Sequence, residues 1–483
     1  STVPAYLQGR GQIDVPAAWS LFQQNLEPSV ITPSAPVCTE VWRVLGKTSG
    51  TGLYNRCAAT DGGQAPGESR TYTVTLTRST GVKSLPGNFR LSFKGNDGTF
   101  SVSPSRLALP VGKAQTVEIT ATPTAGAHSA TMVIDDPSTV GLDGSMMAVV
   151  AAGKSFDQPD YTVAETGVAK RNVAQSYFVT VPKGAKALTV SMSGLAAHSQ
   201  TRFLAFHPYG LPLDNTSTPN CYSNYPADGS TAGNGCKSDT RSYANPTPGV
   251  WEILVEARRT SPLLANPFTL TAGVVGVQVD PASQTIPRVV AGQATPLSWD
   301  VKNLFGGVTA TAVGGAVGSA KTATPTIANG AKQTYTVVVP AGATKLDVSI
   351  GHPSDTAADL DLFVTGPGGA KQSADGDSEE AVSYANPAAG TYTVTVDGYS
   401  VPAGSTTYDY LDVFYGGSLG SISVDEPSTF ALASGGTHTV HGSVTANSAP
   451  AAGRSLFGTM TVQDAAGIVL GSGAVTVSAV TTP

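Results

Sequence analysis

The chain has 483 residues, of which 54 are glycine and 33 proline, a share above the roughly 12% these two take in average proteins. Charged residues make up 13% and the net charge is −6, an acidic excess too weak and dispersed for a nucleic-acid binder or a polyanionic tail. No apolar run reaches the roughly 18 to 20 residues of a membrane span. At about 150 residues per domain the length predicts three or four domains.

The sequence opens at Ser1 with neither an initiator Met nor a basic-then-apolar leader, the pattern expected of a processed product. Residues 16–25 are predicted as the one good helix: Pro16 suits a first helical position, and Ala18, Leu21 and Phe22 share a face. A helix of about ten residues does not hold itself in water, so this one needs a surface to pack on. Cys38 and Cys57 then enclose a Gly/Ser-rich turn, and Cys221 and Cys236 a polar loop. Two local disulfides, Cys38–Cys57 and Cys221–Cys236, are the simplest reading, with free thiols as the other. A structural zinc site is disfavoured because no C-x-x-C pair is present. Oxidised cysteines place the chain outside the cytosol.

Strand patterning dominates from residue 66 onward. Thr71, Thr73, Thr75 and Thr77 alternate with Tyr72, Val74 and Leu76, a period of two that gives one polar and one apolar face. Trp251, Ile253 and Val255 repeat the pattern, as do Tyr392, Val394 and Val396. Bounded by Gly, Pro, Asn and Asp clusters, these short strands predict an all-β chain of tandem antiparallel sandwiches.

An internal repeat organises the second half. Gln175-Ser-Tyr-Phe-Val-Thr-Val-Pro182 matches Gln333-Thr-Tyr-Thr-Val-Val-Val-Pro340, an offset of 158 residues (175 to 333). Ser242-Tyr-Ala-Asn-Pro246 matches Ser383-Tyr-Ala-Asn-Pro387 at an offset of 141 (242 to 383), so the first copy carries 17 extra residues, around Cys221 and Cys236. A related phrase follows each copy, Val277-Gln-Val-Asp-Pro281 and Ile422-Ser-Val-Asp-Glu-Pro427.

Tyr335 to Leu346, Ala358-Asp-Leu-Asp-Leu-Phe-Val364 and Asn386 to Asp397 together resemble the bacterial pre-peptidase C-terminal (PPC) domain, a small jelly-roll type β-sandwich appended to secreted peptidases. The first copy is similar to a divergent relative of it. Gln8 to Trp19 resembles the segment that closes a subtilisin-like catalytic domain, and Gly50-Thr-Gly-Leu-Tyr-Asn-Arg56 is similar to a phrase downstream of that domain in subtilases of the tripeptidyl-peptidase II type. The resemblance implies seven parts. Residues 1–30 close a subtilase catalytic domain, 31–65 form a disulfide-clipped connector, and 66–152 an immunoglobulin- or fibronectin-like sandwich. Residues 153–276 are the first PPC-like sandwich, 277–325 a small β segment, 326–416 the second PPC-like sandwich, and 417–483 a C-terminal immunoglobulin-like domain.

A subtilase needs a Ser nucleophile, a His base and an orienting Asp placed by its α/β catalytic fold, and none is expected here. Gly144-Ser-Met-Met-Ala148 lacks the Thr-Ser order and the Pro of the subtilase nucleophile phrase and is predicted as a strand. Three apart in a strand, His438 and His441 point to opposite faces and do not chelate one metal.

Asp359 and Asp361 share one strand face, with Asp355, Asp375, Asp377, Glu379 and Glu380 nearby in sequence. Such oxygen-rich sets suit Ca²⁺, which takes about six to eight hard ligands; the other reading is a solvated acidic rim, and no cofactor is required. Thr201 and Phe203 replace the two aspartates in the first copy, so any ion belongs to the second alone. Tyr209, Tyr222, Tyr225 and Tyr243 in or near the inserted loop are expected to pack it onto its sandwich, with a contact loop for sugar or protein as the alternative. Asn215 fits a glycosylation acceptor pattern.

The resemblance implies the non-catalytic C-terminal portion of a secreted subtilisin-like serine endo- or tripeptidyl-peptidase. Its partners would be the upstream catalytic domain, protein or peptide substrates, and a second copy if it forms a homo-oligomer. The competing expectation is a stand-alone extracellular adhesive or filament-forming protein.

Overall fold

A computed structural model describes residues 4–9, 13–24, 26–81, 87–214 and 239–482. The disulfide expected between Cys221 and Cys236, together with Asn215, Tyr222 and Tyr225, lies outside those residues. The chain is mostly β, with several sheets and a few short helices, and it divides into two units, Ser1–Val274 and Val275–Pro483.

In the first unit the Thr/apolar alternation becomes the strand Arg70–Arg78, which buries Tyr72, Val74 and Leu76. It pairs with Ala114–Ala121 on one side and Ile31–Cys38 on the other. Residues 31–34 of the latter strand lie antiparallel to Arg70–Arg78, whereas Val37 and Cys38 run parallel to Leu53–Asn55, itself paired with Gly144–Ala152. One strand thus turns the corner between the two layers of a ten-stranded sheet. The core between them holds Leu53, Phe89, Ile119, Met132 and Val150. The segment 31–65, expected as a connector, therefore supplies three strands to the sandwich. Its short apolar runs have no partner within the segment, and pairing with the sandwich satisfies their backbone groups.

The first repeat copy is two four-stranded sheets. One contains Ala174–Val181, Gly249–Ala257 and Thr201–Phe206, and the other Thr162–Lys170, Ala265–Val275, Ala187–Ser193 and Thr240–Ala244. Trp251 and Phe203 are fully buried between them.

In the second unit the equivalent strands recur. Lys332–Val339, Gly390–Ser400 and Asp359–Gly366 form one sheet, while Lys345–Gly351, Ala381–Ala385, Asp409–Tyr415 and Gly318–Ala323 belong to the other. The shared Ser-Tyr-Ala-Asn-Pro phrase is explained locally: Asn245 and Asn386 sit at φ 46° and 47°, where Asn is tolerated better than most residues. Their N–H groups extend the neighbouring strand pairing in the same way, donating to the Lys186 and Thr344 carbonyls, each at 2.8 Å.

The segments 277–325 and 417–483, drawn apart in sequence, are one sandwich. Ala294–Asn303 pairs along its length with Thr437–Ala446, and the phrases at Val277 and Ile422 lie on the two edge strands of that same sheet, Val277–Asp280 and Gly420–Val424. The second PPC-like copy is thus inserted into a host domain, and Gly318–Ala323 pairs with both Asp409–Tyr415 and the host strand Ser455–Gln463.

Candidate functional site

The residues that carried chemistry in the sequence fall on the second PPC-like copy. Asp359 and Asp361 flank buried Leu360 on the strand Asp359–Gly366, with a bulge between them. The bulge sends them to different company. Asp359 faces the loop carboxylates, and its Oδ1 is buried without a hydrogen-bond partner. Burial first, then Asp361, Asp375, Glu380 and Asp377, push its carboxyl up to about 6. Asp361 is raised by burial, then by Asp397 and Asp375, with Lys332 opposing; Lys332 pairs with Asp397 at 2.8 Å.

The carboxylates that converge are Asp375, Asp377 and Glu380, whose ligand oxygens lie within 4.8 Å of one another. Their loop is wound by its own acceptors. Asp375 accepts from the Asp377 N–H at 3.2 Å and Asp377 from the Glu379 N–H at 2.9 Å. Glu380, almost wholly buried, accepts from the Asp375 N–H at 2.9 Å and from the Ser373 hydroxyl. Burial raises both Asp377 and Glu380 against those hydrogen bonds. A divalent cation would lower the repulsion here, but each carboxylate already has protein donors.

A carboxylate held above its unfolded value binds its proton more tightly in the folded state. Folding stability of the ion-free protein should therefore fall as pH rises from about 4 to 6 and then level off. Asp359→Asn should remove most of that slope and, in EGTA at pH 7, add about 1 kcal/mol after discounting for partial exposure. Thermal melts at pH 4.5 and 7 check this. Equal melting shifts at both pH values would count against it.

The other candidates resolve simply. Ser145 lies on the strand Gly144–Ala152, paired along its length with Gly126–Asp135. His438 stacks on Phe430 with ring centroids 4.2 Å apart, while His441, three residues on, is exposed opposite Ser298. Tyr243 donates to Asp214 at 2.8 Å and packs on Trp251, whereas Tyr209 is partly exposed against His207.

Sequence reasoning missed one group with triad-like order. His128 Nδ1 meets Asp97 Oδ2 at 2.6 Å, and Nε2 lies 3.1 Å from Thr124 Oγ1. The same Nε2 lies 3.1 Å from the Thr124 carbonyl oxygen, which accepts but never donates. The ring thus cross-links two loops rather than keeping a lone pair aimed at a nucleophile.

The helix Val15–Phe22 follows an N-cap at Asp14, which accepts from the Ala17 N–H at 3.0 Å, and places Pro16 in its first turn. No residue in it is buried. Trp19 is 59% and Phe22 75% exposed, their rings stacked at 5.7 Å, with Ile13 and Val15 exposed beside them.

Residues 32–152 match the family model of the Ig-like domain in actinomycete serine proteases, and residues 331–398 that of the bacterial pre-peptidase C-terminal domain. Pyrolysin of Pyrococcus furiosus is 24% identical over 281 residues, 57% of this chain and 18% of pyrolysin. The solved structure of tripeptidyl peptidase 2 covers 98% of this chain and 43% of its own, with a TM-score of 0.53 at 12% identity, a likeness of fold. The chain thus spans less than half the length of either relative. PPC domains occur in secreted bacterial peptidases, and the Cys38–Cys57 disulfide is consistent with an extracellular setting. No helix among the described residues is long and apolar enough to cross a membrane. The chain carries non-catalytic Ig-like and PPC domains of the kind typical of secreted serine peptidases.

Proposed function

We propose that this chain is the post-catalytic region of a secreted subtilisin-like serine peptidase and serves its proteolytic domain by stabilising it, presenting substrate to it or assembling it. The observation that carries the reading is the helix Val15–Phe22. An eight-residue helix without one buried residue, with Trp19 and Phe22 open to water, gains its stability from a surface it packs on. The two domain matches and the distant likeness to pyrolysin support a peptidase as the owner of that surface.

The test is to produce the catalytic domain of the same gene product separately and measure its association with this chain. Binding is expected, weakened by Trp19→Ser with Phe22→Ser, since each buried large apolar side chain contributes about 1.5–3 kcal/mol. Absence of association would overturn the reading, and polymers of the chain alone, lost in the same double variant, would favour the adhesive or filament alternative.

As part of this reading we also propose Ca²⁺ as the ligand of Asp375, Asp377 and Glu380, with Asp359 beside them. Millimolar Ca²⁺ is expected to raise the melting temperature at pH 7 and EGTA to reverse it; identical melts in both would remove the cation.

A further inference from the structure

The segment Pro4–Gly9, which neither the acidic rim nor the exposed helix uses, lies outside the core of the Ig-like sandwich. On the strand Gly126–Asp135, Ala130, Met132 and Ile134 face that core, so Ala127, Ser129, Thr131 and Val133 face outward. The segment sits on this outer face. It winds one short turn, Ala5–Gln8, closed by the Gly9 N–H donating to the Ala5 carbonyl at 2.8 Å. Ala5 is 5% exposed, and the Tyr6 N–H donates to Ser129 Oγ at 3.2 Å. A four-residue helix has no stability of its own, so these contacts hold the segment in place.

Its residues divide between two clefts. Pro4, Ala5, Gln8 and Gly9 line one of about 820 Å³, together with Thr131 and Val133. Tyr6 lines the other, of about 480 Å³, where Tyr54 and Met147 of the Ig-like sandwich meet Phe178 and Glu252 of the first PPC-like sandwich. Burial, then Glu252 and then Tyr54, push the Tyr6 hydroxyl above the usual tyrosine range. Tyr6 thus stands where the two sandwiches join.

That elbow is thin without it. Among the described residues its buried apolar cluster is Ala151, Phe178 and Val250, three residues against eighteen in the Ig-like core. The chain crosses the elbow at Gly153, where a Cβ would stand 2.5 Å from Thr180 Oγ1, and then pairs only Lys154 and Ser155 with Val179 and Thr180. Arg56 and Glu252 span it at a stretched 3.5 Å. Lys183 and Asp61 do so at 3.8 Å with the lysine 80% exposed, a pair that contributes little. Interfaces this small leave two domains free to move against each other. Tyr6 adds an aromatic ring to the contact, and the seating of Ala5 and Ser129 fixes where that ring stands.

We propose that Pro4–Gly9 is a conformational strap: seated on the outer face of the Ig-like sandwich with Tyr6 at the elbow, it holds the Ig-like and first PPC-like sandwiches at one angle, and its release lets them swing. Residues 10–14 separate it from the exposed helix Val15–Phe22, a reach of about 20 Å at most, so the strap also fixes where that helix is presented. Every contact it uses belongs to this chain, and it does not depend on the peptidase reading.

Spin labels carried on p-acetylphenylalanine at exposed Lys113 of the Ig-like sandwich and exposed Lys170 of the first PPC-like sandwich report the elbow in the full chain by pulsed electron resonance. One narrow distance is expected in the parent. Ala5→Asp with Tyr6→Gly puts a charge at the buried seat and removes the ring, and the single narrow distance should be lost to a broad distribution. Leu7→Ser, on the same turn but at a side chain 65% exposed, should keep it. Amide exchange of the core strand Arg70–Arg78 should be unchanged in all three proteins, which separates release of the strap from unfolding. A narrow distance that survives the double variant, a broad one already in the parent, or equal loss in Leu7→Ser overturns the proposal. Faster exchange of Arg70–Arg78 in the double variant also overturns it, because the segment would then be part of the sandwich's fold. A narrow distance lost only in the double variant, with no association of the catalytic domain, upholds the strap and removes the peptidase reading.

Discussion

Arg454→Ala is expected to destabilise the second unit by about 3–5 kcal/mol, the cost of stranding a buried charge. Arg454 precedes the host strand Ser455–Gln463, yet its guanidinium reaches into the inserted PPC-like copy. Nε donates to Ser319 Oγ at 3.1 Å, and one terminal nitrogen donates to the Ser319 carbonyl at 2.8 Å, the Asp412 carbonyl at 3.1 Å and the Asp412 carboxylate. Asp412 is fully buried, and its other oxygen accepts from Tyr410 at 3.0 Å. The plane also lies over Phe414, 5.0 Å from its centroid. Removing the guanidinium leaves Asp412 with one hydroxyl donor and no countercharge in a site water does not reach. The variant's defect should shrink at acidic pH, where a proton can replace the arginine. Arg454→Met with Asp412→Leu should recover much of the loss, because it removes the orphan charge with the ion pair. Urea unfolding of the three proteins at pH 5 and 7 measures both effects. A loss below about 1 kcal/mol in Arg454→Ala would mean that the pair is solvated and does not join the inserted domain to its host.

That junction shows why the fold was only partly legible in the sequence. Period-two alternation is a local signal, so Tyr72, Val74 and Leu76 announced their strand and its buried face correctly. The repeat announced two equivalent sandwiches, and their strand orders agree. Strand partnership is not local. Val277-Gln-Val-Asp-Pro281 and Ile422-Ser-Val-Asp-Glu-Pro427 read as trailing phrases of two repeat units, whereas they are opposite edges of one sheet. Their similarity reflects a common job, ending an edge strand shortly before a proline, and similarity of phrase carries no information on which sheet the edge belongs to. The corner strand Ile31–Cys38 was hidden for the same reason: its two prolines and short apolar run resemble a linker until Arg70–Arg78 and Leu53–Asn55 are placed beside it.

The sites divide along the same line. Alternation put Asp359 and Asp361 on one face, and the acidic loop was in view as a composition. The bulge that turns Asp361 toward Asp397, and the turn that gathers Asp375, Asp377 and Glu380, are backbone events that alternation does not encode. In the sequence Arg56 is only the last residue of the Gly50–Arg56 phrase. Its burial comes from Phe178 and Glu252, more than a hundred residues later in the chain, which pack on and pair with the guanidinium.

The disulfide Cys38–Cys57 was legible from spacing alone, and it makes the second large expected effect. Its two residues stand 19 apart, with Cα atoms at 5.6 Å, and a loop of that size contributes about 3 kcal/mol by restricting the unfolded chain. Cys38→Ala with Cys57→Ala should therefore lower the melting temperature of the first unit by about 6–12 °C, at roughly 2–4 °C per kcal/mol for a unit of this size. The folded loop has other holds. Asn55 Nδ2 donates to the Gly62 carbonyl at 3.0 Å and to the Tyr72 hydroxyl at 2.9 Å, its Oδ1 accepts from the Cys57 N–H at 3.2 Å, and Tyr72 donates on to Gln64 at 2.7 Å. Because these bonds stay in place without the sulfurs, the loss should appear as destabilisation with native near-ultraviolet dichroism retained below the transition. Trp42 and Tyr54 both lie inside the clipped loop, so their near-ultraviolet signals should persist in the double variant at low temperature and vanish as the first unit melts. A loss under about 1 kcal/mol would mean that the reduced chain keeps this loop closed when unfolded. Disappearance of the dichroism at low temperature would mean instead that the disulfide, and not the Asn55–Tyr72–Gln64 chain of hydrogen bonds, holds the corner of the sandwich.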